Sequence, residues 1–261
     1  EVDGIPAAGA FAVGSYADSG RAYVDAAFVD RVEFLRGPAS SLYGSDAIGG
    51  VVAMTTLTPE SLLARGEGDY AVRTDAGFDS ASDGWRAAVL AAGAIGGTQW
   101  LVGYSRREGQ ETDTAADVTP NPSEYANDSA LMKVTGTVPG GPLTFTAEAG
   151  RIQQATDVNA FLGVGRFLNT TALAGDDEML RYRVGLGQAL TGANAAFDSA
   201  DWSAYWQGTE TEQDTYEVRR AVPPRMPPVQ LDRKFNFDES TFGVEFTAVK
   251  SLGSGSIVHD V

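Results

Sequence analysis

The chain has 261 residues, 35 acidic and 19 basic, with a formal net charge of −16 and no cysteine. This acidity argues against a nucleic-acid partner, because phosphate contacts need clustered lysines and arginines, and the lack of cysteine excludes disulfides, thiol catalysis and cysteine metal sites. No apolar run approaches the roughly 20 residues of a membrane helix, although a membrane β-barrel strand needs only about 9–11. We expect a fragment or a mature form cut at both ends, since the chain starts without a methionine.

The first distinctive stretch is LRGPASSLYGSDAIGGVV, residues 35–52, which is rich in glycine. A phosphate-binding loop would end in Gly-Lys-Ser/Thr at the start of a helix, whereas this stretch has no lysine and leads into a β-branched run. Glycine before a strand more often marks a tight turn or a close approach of two backbones. The stretch therefore predicts a structural element rather than a nucleotide site.

From Tyr70 onward the apolar residues recur with a period of two, as in YAVRTDAGF. Such alternation is typical of strands with one apolar face. The predicted strands cover residues 70–78, 85–93, 99–107, 129–138, 143–153, 179–190, 196–208, 236–249 and 257 onward.

The connections between these strands alternate between long and short, except that the first one, DSASDG, is short where a long one would be due; the long ones are predicted near 108–128, 154–178 and 209–235. Bacterial outer-membrane barrels have this asymmetry of short periplasmic turns and long extracellular loops. A soluble sandwich has no reason to keep every second turn short, but it remains an alternative because it shares the strand alternation.

The two faces of the predicted strands differ in chemistry. The polar register suits a plugged or water-filled barrel interior and contains Arg73, Asp75, Arg86, Glu148, Arg181, Arg183 and Glu245. Aromatic residues near strand ends or on the apolar register suit the interfacial girdles of a barrel. These are Tyr70, Trp85, Trp100, Tyr104, Tyr182, Trp202, Tyr205 and Trp206.

Residues 29–56, VDRVEFLRGPASSLYGSDAIGGVVAMTT, resemble the end of the plug domain of TonB-dependent outer-membrane receptors. In that family a Val-Glu-x-x-Arg-Gly-Pro segment is followed by Tyr-Gly, Gly-Gly-Val and the first barrel strand. The resemblance implies an all-β membrane barrel, here about nine antiparallel strands of a larger plugged barrel, preceded by the C-terminal part of an α+β plug. The implied domains are the plug at 1–58, a linker at 59–69 and the barrel at 70–261.

Segments 49–63 and 104–134 are similar to the corresponding parts of receptors for haem and haem proteins. The resemblance implies TonB-dependent uptake of haem or haem-protein-derived iron across the bacterial outer membrane. Its partners would be TonB with the inner-membrane energising complex, the haem or haem protein, and outer-membrane lipid. It implies neither an enzyme nor a bound cofactor, with haem as the transported ligand. The alternatives are a siderophore or cobalamin receptor, a passive porin and a soluble β-sandwich binding module.

The family also implies a contact between plug and barrel wall. Arg36, Gly37 and Pro38 form the Arg-Gly-Pro segment, and Glu148 and Glu245 are the candidate acids on the wall. The guanidinium of Arg36 is expected to pair with one of those acids. The alternative is a pair within the plug, with Glu33 or Asp30.

The family's haem ligands are commonly histidines, but the single histidine here, His259, falls in the last predicted strand. It is expected to be a barrel-wall residue. Tyr16 and Tyr23 are the candidate substrate-binding residues, since tyrosine can ligate haem iron, although packing inside the plug would also explain them. The pair Asp176-Asp177 is expected in a loop, as solvated charge or as a calcium site. No catalytic residues and no metal site are predicted.

Overall fold

The computed structural model describes residues 1–7, 16–17, 24–38, 49–112, 120–191, 197–224, 226–252 and 255–260. Two antiparallel sheets account for most of this part of the chain. Within the described residues, no helix combines the length and the apolar composition that crossing a membrane requires.

The first sheet pairs β1, Val29–Arg36, with β2, Gly50–Thr56. Gly50 has φ +144°, and a Cβ at this position would lie 2.4 Å from the carbonyl oxygen of Leu35. Gly50 therefore lets two backbones approach closely, which agrees with the structural interpretation of the stretch. Residues 39–48, with the Tyr-Gly of that stretch, lie outside the described residues.

The second sheet is an antiparallel meander in which each strand pairs with the next one in the chain. Within the described ranges it has nine strands. They are β3 Tyr70–Asp79, β4 Gly84–Ile95, β5 Thr98–Gln110, β6 Ser123–Val138, β7 Gly141–Asp157, β8 Thr170–Thr191, β9 Ser199–Arg219, β10 Val229–Leu252 and β11 Gly255–Asp260. All nine predicted strands are thus confirmed, and so is the alternation of long and short connections after the first one, which is short as predicted.

Several strands extend further than predicted, and the longest extensions run toward the long connections. The prediction for β8 began at residue 179, whereas the strand begins at Thr170, and β9 continues to Arg219 rather than ending at 208. In these extensions the residues of both strand faces are polar, as in TETEQDT at 209–215. A strand beyond the bilayer faces water outside, so its backbone pairing continues while the apolar alternation that identified it ends.

The described residues of the N-terminal segment, residues 1–63, lie on one face of the large sheet, here called the inner face. Phe28 and Leu57 pack against Leu90, Leu101 and Leu131, and each of these five side chains is at most 2% exposed. The alternating residues of the opposite, outer face include Val72 and Phe78 on β3, which are about 70% exposed. The inward and outward registers agree with the sequence prediction for these strands.

One aromatic residue of the predicted girdle is on the wrong face. Tyr205 points inward and is 7% exposed, because its ring covers Gly243, its partner on β10. A Cβ at Gly243 would come within 2.3 Å of that ring. Gly208 and Tyr182 form the same kind of opposed pair on the outer face. The aromatic residues of the sheet are therefore placed partly by glycines on the next strand and not only by the membrane interface.

A short helix, α1, joins the two sheets at Pro59–Leu63, inside the predicted linker. Thr58 and Ser61 form a reciprocal capping box, and Pro59 occupies the first turn. This is a recognised start signal of a helix, although five residues are too few to show a helical period. Leu62 of α1 is 3% exposed and completes the apolar cluster around Phe28.

Candidate functional site

The predicted contact segment lies at the end of β1. Arg36 pairs through its backbone with Gly50, and its side chain is exposed. Gly37 follows with φ +105°, and Pro38 is exposed. In the described part of the chain Arg36 forms no ion pair, because Glu33 pairs with Arg31 and the acids of the wall have other neighbours. No described ion pair joins Arg36 to Glu148, Glu245, Glu33 or Asp30, and its contact with the wall stays a prediction.

The two predicted wall acids both face the N-terminal segment. Glu148 lies on the inner face of β7, with its side chain 3% exposed, between Arg181 and Arg183 of β8. Glu245 lies on β10 beside Gly4, where an added Cβ would be 4.0 Å from its Oε2 atom. The wall acids therefore meet the first residues of the chain, not the Arg-Gly-Pro segment.

The strongest polar contact between the segment and the wall is a group of buried charges, called here the Asp3 cluster. It consists of Asp3, Lys133, Glu148, Arg181 and Arg183. Asp3 Oδ2 lies 3.1 Å from Lys133 Nζ and 3.3 Å from Arg183 Nη2. The same Arg183 nitrogen lies 2.5 Å from Glu148 Oε1, and Arg181 Nη2 lies 3.1 Å from Glu148 Oε2.

Hydrogen bonds tie the cluster to the backbone of the N-terminal segment. Arg183 Nη1 donates to the carbonyl oxygen of Val2 at 2.6 Å. Thr56 donates to Asp3 through its backbone N–H at 2.8 Å and through its hydroxyl at 2.7 Å. Two separate parts of the segment, around residues 2–3 and residue 56, are thus bound to one arginine and one lysine of the wall.

The cluster contains three cations and two anions, so it has a formal charge of +1. The side chain of Arg183 is 2% exposed, and its Nε has no hydrogen-bond acceptor among the described atoms. Burial alone would raise the pKa of Asp3, but Lys133, the two hydrogen bonds from Thr56 and then Arg183 together hold that pKa below its ordinary value. Because the cluster has an excess of positive charge, removing one of its carboxylates should destabilise it more than removing one of its cations.

A second buried ion pair holds the segment further along the chain. Asp25 Oδ2 lies 2.9 Å from Arg107 Nη2 on β5, and the Asp25 side chain is 7% exposed. The other Asp25 oxygen accepts a hydrogen bond from the backbone N–H of Ala27 at 2.8 Å. This contact fixes the turn that places Phe28 against Gly103, where an added Cβ would lie 2.9 Å from the Phe28 ring.

A cavity of about 460 Å³ lies beside the Asp3 cluster, between the segment and the wall. Its wall side is lined by small residues of β7, β8 and β9, among them Thr144, Thr146, Gly185, Gly187 and Ser203. Because these side chains are small, the wall leaves space next to the bound segment. The arrangement is suited to holding a mobile part against a surface without filling the interior.

The tyrosine candidates fall in different parts of the structure. The ring of Tyr16 lies edge-on to Phe167, with centroids 5.8 Å apart, and its hydroxyl accepts a hydrogen bond from Arg166. Tyr23 lies outside the described residues. His259 lies in β11 opposite Ala248, as predicted for a residue of the wall.

The acidic pair Asp176-Asp177 is in β8 and not in a loop, which corrects the sequence prediction. Asp177 is fully buried and accepts a hydrogen bond from Gln213 at 3.4 Å, whereas Asp176 lies on the opposite face of the strand. Neighbouring residues of a strand cannot form a carboxylate dyad because their side chains diverge. In the described part of the chain, no group of three or more potential metal-binding side chains is close enough to hold an ion.

Sequence reasoning missed Asp3 and Lys133, the central pair of the site. The sequence does mark Lys133 as a buried cation, because it lies on the inward face of β6, two residues after the buried Leu131. A lysine at such a position needs a buried anion as its partner. Asp3 gave none, because its partners lie at least 53 residues away in sequence.

Comparisons with known proteins agree with this architecture. Residues 1–51 match the family model described as the TonB-dependent receptor plug domain. The FrpB iron transporter from Neisseria meningitidis has a similar structure, with a TM-score of 0.62 at 16% identity over 90% of this chain and 36% of that one. The pyoverdine-bound FpvA of Pseudomonas aeruginosa gives a TM-score of 0.57 at 11% identity, over 100% of this chain and 45% of that one. At these identities the similarity shows the fold, a partial plugged barrel.

A curated relative is the Hemin receptor of Yersinia pestis, which is 40% identical over 82 residues. The match covers 31% of this chain and 11% of that protein. A protein of the same name from Yersinia enterocolitica is 39% identical over 77 residues, 29% of this chain and 10% of that protein. The chain thus matches about a tenth of the length of these relatives.

Proposed function

The chain belongs to the TonB-dependent receptor family of the bacterial outer membrane, and we propose that its protein imports haem or haem-protein-derived iron. TonB and the inner-membrane energising complex are the proposed source of energy. Family members are receptors and transporters, not enzymes, so we propose binding and passage of the cargo without bond chemistry. The division into a plug at 1–58, a linker at 59–69 and a barrel from residue 70 stays a prediction.

The observation that carries the choice of haem is the 40% identity with the Hemin receptor of Yersinia pestis. The FrpB and FpvA structures share 16% and 11% identity with the chain, over 90% and 100% of its length, and these values show the fold alone. Since the matched segment is a tenth of that relative, the activity of the whole protein is inferred from a small part of it.

The geometry supports a transport role in a second way. The N-terminal segment is held on the inner wall by the Asp3 cluster and by the Asp25–Arg107 pair, next to a cavity of about 460 Å³. Polar contacts of this kind can be exchanged for water when a segment is moved, whereas a continuous apolar interface resists wetting. The segment is also held by the apolar cluster around Phe28, but its part near residue 3 is held by ion pairs beside free space, which suits a plug that must shift to let cargo pass.

Growth on defined iron sources tests the proposal. The full-length gene is expressed in an iron-starved strain that lacks its own haem and siderophore receptors, and growth is followed on hemin, on haemoglobin and on ferric siderophores. We expect growth on hemin or haemoglobin. Growth on a ferric siderophore alone would replace haem by the siderophore alternative, and growth on none of them would reject iron uptake.

A further inference from the structure

The connection between β7 and β8, residues 158–169, is called here the apical loop. It contains two 3-10 turns, Asn159–Phe161 and Gly165–Phe167. Phe167 is 7% exposed and packs with Val158 and Leu173 and, edge-on, with Tyr16 of the N-terminal segment. The loop therefore contacts the N-terminal segment through Phe167, and much of its remaining surface is exposed.

Two cations that lack an acidic partner lie at the apical loop: Arg166 belongs to the loop, and Arg220 follows β9 and donates to the loop. The guanidinium carbon of Arg166 lies 4.7 Å from the centre of the Phe167 ring, and Arg166 donates to the Tyr16 hydroxyl. Arg220 donates to the carbonyl oxygen of Leu168 and to Asn169 Oδ1, both at 3.4 Å. Both arginines are exposed, and neither forms an ion pair within the described residues.

This absence of a carboxylate is unusual for the chain. Ten other arginines form ion pairs with Asp or Glu in the described part. The chain has 35 acidic residues against 19 basic ones, so an acid is available to most cations. Two exposed guanidiniums without such a partner, one on the apical loop and one hydrogen-bonded to it, form a local site for an anion.

Apolar and aromatic surface lies beside these cations. Phe161 is parallel to Phe167 within 3°, with ring centroids 5.8 Å apart, and is 47% exposed. Val164 and Leu168 are 62% and 58% exposed. Exposed apolar residues on a loop, next to charges without partners, are the features of a binding surface for an amphipathic ligand.

We propose that the apical loop binds a planar aromatic molecule that carries carboxylates. The ring system stacks on Phe161 and covers the apolar surface, while the carboxylates pair with Arg166 and Arg220. The inference rests on the proposed function, because haem has these properties. Tyr16 has a supporting role: its hydroxyl accepts the hydrogen bond that fixes Arg166, so Tyr16 is a positioning residue and not an iron ligand.

Binding of hemin and of metal-free protoporphyrin IX to the full-length protein in lipid nanodiscs tests the inference, with empty nanodiscs subtracted. The double variant Arg166→Gln/Arg220→Gln should weaken both ligands by about 25-fold. This is about fivefold for each arginine, or about 1 kcal/mol. The affinity of the wild-type protein should fall with salt more steeply than that of the double variant. Arg151→Gln, which removes an exposed arginine that pairs with Glu178, is the matched control and should leave binding unchanged.

The outcomes separate this inference from the function on which it rests. Equal porphyrin affinity in wild type and double variant would overturn the inference, even if cells still grow on hemin. Arginine-dependent binding of protoporphyrin without growth on hemin would keep the inference and reject haem uptake. A change in the visible spectrum of bound hemin in Tyr16→Phe would show that Tyr16 ligates iron, against the role assigned to it. Heat-modifiable migration of each variant confirms that its barrel has folded.

Discussion

Asp3→Asn is the substitution that should release the N-terminal segment most strongly. It keeps the shape of the side chain but removes one of only two negative charges in the Asp3 cluster. The formal charge then rises from +1 to +2, with Lys133 left without an ion-pair partner and Glu148 left to neutralise Arg181 and Arg183. Removing one partner of a buried ion pair typically costs about 3–5 kcal/mol, much of it from the charge left behind. We expect docking of the segment to lose that amount.

Arg183→Met should cost less, although Arg183 is the most deeply buried of the five charges. After this change Asp3 still pairs with Lys133, and Glu148 still pairs with Arg181. The formal charge becomes zero. The main loss is the hydrogen bond to the carbonyl oxygen of Val2, for which an unsatisfied buried group costs about 1–3 kcal/mol.

The measurement uses the absence of cysteine in the chain. In an Ala92→Cys background the new thiol lies on the inner wall, at a position 1% exposed beneath the segment, and reacts with a thiol reagent only when the segment lifts. A loss of 3–5 kcal/mol corresponds to labelling that is about 100- to 5,000-fold faster. The control is Asp201→Asn, the same change at an exposed inward position of β9.

Two results would refute this reasoning. One is equal labelling rates for Asp3→Asn and Asp201→Asn, which would mean that the cluster does not hold the segment. The other is faster labelling for Arg183→Met than for Asp3→Asn, which would mean that the positive charge of the cluster is neutralised by groups outside it.

The remaining predictions concern pH, membrane register and close packing. Because the pKa of Asp3 is lowered in the docked state, its contribution is fully present above the ordinary Asp pKa of about 3.9 and is lost as pH falls through the lowered value. Labelling of the wall thiol by a pyridyl disulfide should therefore be constant from about pH 5 to 8 and should rise only in acid. Val184→Arg, on the outer face, should lower the free energy of unfolding of the barrel in lipid by about 2–4 kcal/mol, as measured by urea titration. Gly185→Arg, beside the inner cavity, should not lower it. Equal losses for the two variants would contradict the assignment of the faces. Gly175→Val should push the N-terminal segment away from the wall and increase the entry of large antibiotics, because a Cβ at this position would lie 2.7 Å from the backbone nitrogen of Ala17. Unchanged sensitivity of the cells to vancomycin would contradict this contact.

The strand order and the two faces could be predicted because both follow from local patterns. Alternation of apolar residues needs only neighbouring positions, as in β3 and β7, and hairpin order follows from the short turns. The outer ends of β8 and β9 could not be predicted in this way. Beyond the bilayer the outer face is no longer apolar, so only hydrogen bonds to the neighbouring strand mark Thr170 and Arg219 as parts of strands.

The site was predictable only in part. The inward positions of Glu148 and Arg183 follow from the strand register, and they are indeed partners. The choice of Arg36 as the cation stays a prediction, because the motif indicates a domain and does not identify which of its charged side chains reaches the wall. Asp3 binds groups 130 and 180 residues away in the chain, and no local pattern encodes such a contact.

The central claim, TonB-driven import of haem, is tested most directly by uptake of iron-55 from labelled hemin. The full-length gene is expressed in two otherwise identical strains, one with TonB and one without it, and cell-associated label is measured after washing with excess unlabelled hemin. The proposed function predicts accumulation in the strain with TonB and only surface binding in the other. Equal accumulation in both strains, as for a passive pore, or no accumulation in either, would contradict it.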